Sequence, residues 1–153
     1  MIISISDTEM LLLQNIGTLR HKETSKHGQE AKQSAQNPLQ ISIDGVIGEY
    51  AVAKAFNLHF SLDCDYRDFG ADLISRKGKK IDVKSTRTVG GNLNAVLWSD
   101  KKPVDIFVLA EIGLDSVDVI GYIERESFLI PEHIADVGHG KFYSVPQSKL
   151  KPL

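Results

Sequence analysis

The chain has 153 residues and a mass of 16.9 kDa, about the length of one ordinary domain. Its 42% hydrophobic and 25% charged residues exclude collagen-like, low-complexity and wholly disordered classes, and no apolar run approaches the ~18 residues of a membrane span. A net charge of −2 excludes a bulk polycation, and the single cysteine, Cys64, excludes an internal disulfide or a Cys-pair redox motif and reads as a buried thiol.

Ser6-Asp7-Thr8-Glu9 is a capping-box pattern, and Met10, Leu11, Leu13, Ile16 and Leu19 follow at roughly helical spacing, so a first helix is expected from Asp7. Residues 21–40 are nearly all polar and contain Gly28 and Asn37-Pro38, which predicts a frayed helix or arm. From residue 44 to 57, Val46, Ile47, Tyr50, Ala51, Ala53 and Phe56 form an apolar helical face. The period then turns strand-like: residues 58–62, 71–75, 80–86, 104–112 and 117–123 are rich in β-branched or aromatic side chains. Residues 88–103 are ambiguous, 124–134 read as helix or loop, and 141–145 as a last short strand. The expected organisation is an N-terminal helix and polar arm over 1–43, then an α/β domain over 44–153 built on a mixed central sheet flanked by helices.

Acids and bases are segregated around the candidate hairpin. Asp63, Asp65, Asp68 and Asp72 precede it, whereas Arg76, Lys77, Lys79, Lys80, Lys84 and Arg87 occupy and follow its turn. If the Lys77-Gly78-Lys79 turn makes Arg76 face Lys80, Asp72 lies opposite Lys84 and diagonal to Asp82, all on one face. Leu73, Ser75, Ile81 and Val83 then form the other face, which can pack on a helix. A two-residue turn would instead separate Asp72 from Asp82 and Lys84. Two carboxylates fixed on adjacent strands suit a hard divalent cation such as Mg²⁺ or Mn²⁺, and Lys84 is placed to position water or stabilise an oxyanion. Glu49, on the helix with Gly45 and Gly48, is placed to complete the metal shell. Taken singly, Asp82 and Lys84 read as a solvated strand face, Asp72 after Gly70-Ala71 as turn chemistry and Glu49 as an exposed helix charge; their conjunction, in this order and spacing, points to phosphoryl chemistry.

Gly48-Glu49 on a helix, then Gly70-Ala71-Asp72, then Ile81-Asp82-Val83-Lys84-Ser85-Thr86 resembles the PD-(D/E)XK, or restriction-endonuclease-like, nuclease superfamily, over residues 44–123. Ala71 stands where the name-giving proline would be, and Asp82 where Glu is frequent. The superfamily includes restriction, repair, junction-resolving and phage-encoded enzymes. The resemblance implies an αβββαβ core and Mg²⁺-dependent phosphodiester hydrolysis. It further implies Asp72 and Asp82 as metal ligands, Val83 lending its carbonyl, Lys84 as catalytic lysine and Glu49 as helix acid.

The expected activity is therefore that of a Mg²⁺-dependent deoxyribonuclease, an endonuclease, with DNA as partner. The alternative is a non-catalytic nucleic-acid or protein-binding module that keeps the nuclease fold. Lys80 and Thr86 share the site face and rank first as phosphate contacts; Lys79 and Arg87 follow, with Lys101 and Lys102 in reserve. The five histidines show no ligand spacing and read as surface or loop residues. Trp98 reads first as core and second as a base-stacking side chain. A homodimer is the expected assembly for cutting both strands, and the cytoplasm is the expected compartment, given no leader and no membrane span.

Overall fold

In the computed structural model, residues 1–28, 37–65 and 70–153 are described. The strands are β1 (Ile2–Ser4), β2 (Leu73–Ile74), β3 (Lys80–Thr86), β4 (Leu93–Val96), β5 (Ile106–Ile112), β6 (Ser116–Glu124), β7 (Ile134–Asp136) and β8 (Lys141–Val145). Helices α1 (Asp7–Lys26) and α2 (Pro38–Phe56) lie between β1 and β2, and a short α3 (Arg125–Phe128) follows β6. The main sheet has the order β1-β6-β5-β3-β2, with β3 and β5 parallel and the other pairs antiparallel, so it is mixed as expected. A second sheet has the order β4-β8-β7. Among the described residues no helix is long and apolar enough to cross a membrane.

The chain pattern explains the layers. Alternation in β3 and β5 sends Ile81, Val83, Val108 and Ala110 to one face, where Ile47, Ala51 and Val52 of α2 and Leu13 of α1 close the core. The opposite face carries Phe107 and Leu109, which pack with Phe128 of α3 and with Leu93, Tyr143 and Val145 of the second sheet. Phe107 and Phe128 meet edge to face at 5.0 Å.

The capping box at Ser6 and Glu9 forms as the sequence predicts. Glu9 also receives Tyr50 at 2.5 Å and Lys54 at 2.7 Å, tying α1 to α2. The two helices approach so closely that a Cβ on Gly17 would lie 2.6 Å from the Ile43 Cα. Leu11 and Leu19, expected on the apolar face, are exposed, while Leu13 is buried.

Several boundaries move. The second helix begins at Pro38 and not at residue 44, because Asn37 caps it through its side chain, accepting from Leu39 N at 3.0 Å, and proline suits the first turn. The first helix runs to Lys26, so residues 21–26 of the predicted arm are helical; its residues 29–36 lie outside the described ones. Residues 58–62 form no strand: Leu58 and Phe60 pack on the core but their backbone joins no ladder. Cys64, at the end of this stretch, is only partly buried. His133 is buried against Phe128 with its Nδ1 2.8 Å from the Phe128 carbonyl, so it is a core histidine and not a surface one.

Candidate active site at the open edge of β3

The hairpin turns one residue earlier than the sequence suggests, with a three-residue loop of the expected length. Ser75 N donates to Lys79 O at 2.8 Å, the Ser75 hydroxyl accepts from Lys79 N, and Gly78 takes a positive φ of 79°. The ladder therefore pairs Leu73 with Ile81 and Ile74 with Lys80, where Arg76 facing Lys80 had been expected. Asp72 consequently ends the ladder beside Asp82 and not opposite Lys84. A two-residue displacement preserves the face, so the convergence of Asp72, Asp82 and Lys84 survives the change of register.

β2 lasts only two residues, and this opens the edge of β3 where the site lies. Asp72 N donates to Ile81 O at 2.9 Å, and its carboxylate turns forward to accept from Val83 N at 2.7 Å. The Val83 carbonyl faces the same edge as its N–H. Asp82 is wholly buried, with Lys84 Nζ 2.5 Å from Oδ1 and Lys102 Nζ 2.8 Å from Oδ2. Burial raises the Asp82 carboxyl, but the Lys84 and Lys102 ammoniums outweigh it and hold the group below its ordinary range. Asp72 goes the other way: burial, then the Glu49 charge, then the Asp82 charge push it up to about 8, against Lys84 and the Val83 N–H. Glu49 thus belongs electrostatically to the same cluster, and Arg20 of α1 holds it at 2.9 Å.

Gly48 brings Glu49 to this position. A Cβ at residue 48 would lie 2.1 Å from the Ser85 Oγ and 3.3 Å from the Ala110 Cβ, so only glycine lets α2 lie this close to β3.

Two site residues come from beyond the predicted motif. Lys102 follows the 3-10 turn Leu97–Lys101; its side chain is 15% exposed, and its ammonium lies 5.2 Å from the exposed Trp98 ring. Arg125 fixes that segment by donating to the carbonyls of Asp100 and Lys102. Burial lowers the Lys102 ammonium, but Asp82, Asp72 and Glu49 more than reverse this and raise it. Arg20 also donates to the carbonyls of Ser61 and Asp63, so it anchors both Glu49 and the stretch that follows α2. Arg20 and Lys102 act across folded distance, and only the basic run around Lys102 had marked it.

The predicted phosphate contacts divide. Thr86 and Arg87 line a cleft of about 650 Å³ together with Val83 and Lys84, and Arg87 closes across it onto Asp44 at 2.7 Å. Lys80 and Lys79 are exposed toward the hairpin end; Lys79 borders a separate apolar cavity with Phe56 and Ile106. The acids Asp63 and Asp65 lie on the stretch after α2 that joins no sheet, and Asp68 lies outside the described residues.

The donor chemistry fits a hard divalent cation. The Glu49 and Asp82 charges disfavour that of Asp72, Asp82 Oδ1 makes no hydrogen bond of proper geometry, and the Val83 carbonyl faces the same edge. Among the described residues no group of three or more His, Cys, Asp or Glu side chains is placed to hold a metal ion by itself, so a cation here would draw most of its ligands from water. Compared with known proteins, the chain matches no protein-family model and no curated protein.

Proposed function

We propose that this protein is a metal-dependent nuclease that hydrolyses phosphodiester bonds in DNA, with a restriction-endonuclease-like core built around β3. The observation that carries the reading is a fully buried aspartate, Asp82, held between two lysines and beside a second acid, Asp72, at an open sheet edge. Burying a charge is costly, and a structural role at this edge would be served more cheaply by an apolar side chain.

Asp72, Asp82, the Val83 carbonyl and Glu49 are the groups that would hold Mg²⁺ or Mn²⁺. Such an ion, when bound, neutralises phosphate charge and lowers the pKa of a coordinated water. Lys84, on the Asp82 carboxylate, donates to the attacking water or to the developing phosphate oxyanion. Lys102 supplies a second ammonium on the other side of Asp82, next to the same phosphate. Thr86 and Arg87 lead the nucleic-acid backbone along the cleft. A homodimer belongs to this reading wherever both strands are cut, and sedimentation measures it.

The test is cleavage of labelled single-stranded, duplex, flapped and four-way-junction DNAs with Mg²⁺, Mn²⁺ or EDTA, comparing the wild type with Lys84→Ala. Cutting that needs metal and is lost in the variant supports the assignment. Wild-type cutting by Lys84→Ala would remove it. One observation favours the second reading, a binding module on the nuclease fold: two of the three acids already have internal cations, Asp82 with two lysines and Glu49 with Arg20. DNA binding by a folded protein that cuts none of the substrates would establish that reading.

A further inference from the structure

The cleft beside Lys84 has features that phosphodiester hydrolysis alone does not require. It lies between the first turns of α2, the uncovered edge of β3 and the start of β4, and its volume of about 650 Å³ exceeds that of one nucleobase. Its apolar lining comes from Ile41, Val83 and Leu109. Its polar lining includes carboxamides from both walls, Asn37 and Gln40 on one side and Asn92 and Asn94 on the other.

These amides are not equally engaged. Asn37 caps α2, Gln40 donates to Asp44, and Asn92 donates to the Ser144 hydroxyl. Asn94 lines the cleft from β4 with an exposed side chain that makes no hydrogen bond among the described residues, so its donor and acceptor are both unengaged. Ser85 also lines the cleft, with its Oγ turned toward Gly48 of α2, shut from solvent and without a hydrogen-bond partner. Beyond β2 the odd-numbered residues of β3 direct their backbone groups to the same edge. A carboxamide with both functions free is the side chain that matches the adjacent donor and acceptor of a base edge.

We propose that this cleft receives one nucleobase taken out of the helical stack, so that the substrate carries an unpaired nucleotide next to the scissile phosphate. The inference rests on the nuclease reading and refines it. Lys84 lines the cleft and also touches Asp82, so a phosphate at Asp82 places its neighbouring base at the cleft mouth. The class of substrate is therefore single-stranded, gapped or flapped DNA and not continuous duplex. An unpaired base enters without the unstacking and unpairing cost that a duplex imposes.

The experiment uses the full chain in EDTA, where cutting is suppressed, with oligonucleotides carrying 2-aminopurine at a single-stranded, a gapped or a fully paired position. Anisotropy of an end label reads affinity, and 2-aminopurine intensity reads the environment of the base. Single-stranded and gapped DNA are expected to bind about tenfold or more tightly than duplex, with a change of 2-aminopurine intensity on binding. Asn94→Leu, which keeps the volume and removes both polar functions, is expected to abolish that preference and the intensity change. Equal affinity for all three DNAs with unchanged intensity, together with metal-dependent cutting of duplex, overturns the inference and leaves the nuclease reading standing. A folded protein that neither binds nor cuts any DNA overturns both.

Discussion

Asp82 is held by two lysines at once, and this makes a sharp prediction about their energetics. The carboxylate is fully buried, whereas the Lys84 and Lys102 side chains are 23% and 15% exposed. Lys84→Met or Lys102→Met alone leaves Asp82 one ammonium, keeps most of the apolar stem, and costs roughly 1 kcal/mol, the scale of one hydrogen-bonded contact. The double variant strands a buried carboxylate, and removing the last partner of a buried charge costs about 3–5 kcal/mol before the group takes a proton. The two substitutions should therefore couple by about 2 kcal/mol beyond their sum. Equilibrium urea unfolding of the four proteins at pH 7 measures this, and with a slope of about 2 kcal/mol/M the double variant should lose ~2 M in midpoint. Additivity within about 0.5 kcal/mol would show that the lysines do not share Asp82, and the proposed site would lose its electrostatic basis.

Gly48→Ala should destabilise by about 1–3 kcal/mol despite the better helix propensity, because the new methyl meets Ser85 Oγ at 2.1 Å. Ser85→Ala in that background should recover part of the loss in thermal melts; no recovery would place the clash elsewhere. Glu9, held by Lys54, Tyr50 and the Ser6 N–H, has its pKa lowered from 4.5 to about 2. A lowered carboxyl stabilises the fold above its unfolded pKa and loses that contribution as pH falls from about 5 toward 2. Glu9→Gln should accordingly cost about 1 kcal/mol at pH 7, after allowance for solvent screening of a partly exposed pair, and nearly nothing at pH 2. A melting difference independent of pH would refute this. Arg20→Gln frees Glu49 and the 61–63 carbonyls together, so proteolysis within the 58–65 stretch should accelerate while cleavage of DNA falls without vanishing. An unchanged digestion pattern would show that Arg20 does not anchor that stretch.

The sequence was informative where one local period governs a long element. β3 occupies the predicted residues 80–86, and β5 and β6 fall within two residues of theirs, because their alternation spans a whole strand. The meeting of Asp72, Asp82 and Lys84 was legible for a subtler reason: it depends on the parity of the register and not on the register itself. Ser75 reads from the sequence only as part of an apolar face, whereas its hydroxyl closes the turn onto Lys79, and this displaces the pairing by two. Asn37-Pro38 was read as a breaker because the pair is ambiguous until the downstream helix is known to start there. β1 and β7 have three residues each, too few to show a period, and their pairing is decided by partners more than a hundred residues away for β1 and by a returning hairpin for β7. Arg20 and Lys102 gained their roles from helix phase and from a turn after β4, neither of which the motif spacing encodes.

The short β2 has a consequence for exchange with solvent. In a complete sheet the Val83 amide would be protected by a neighbouring strand, and its hydrogen exchange would report the opening of that strand. Here its partner is the Asp72 carboxylate, 2.7 Å away, so the amide is guarded by a side chain of the candidate site. Occupation of that carboxylate by a ligand, or its removal in Asp72→Ala, would change protection at this one amide while β5 and β6 kept theirs. The backbone of β3 thus carries an internal reporter of the site, readable one residue at a time without any substrate.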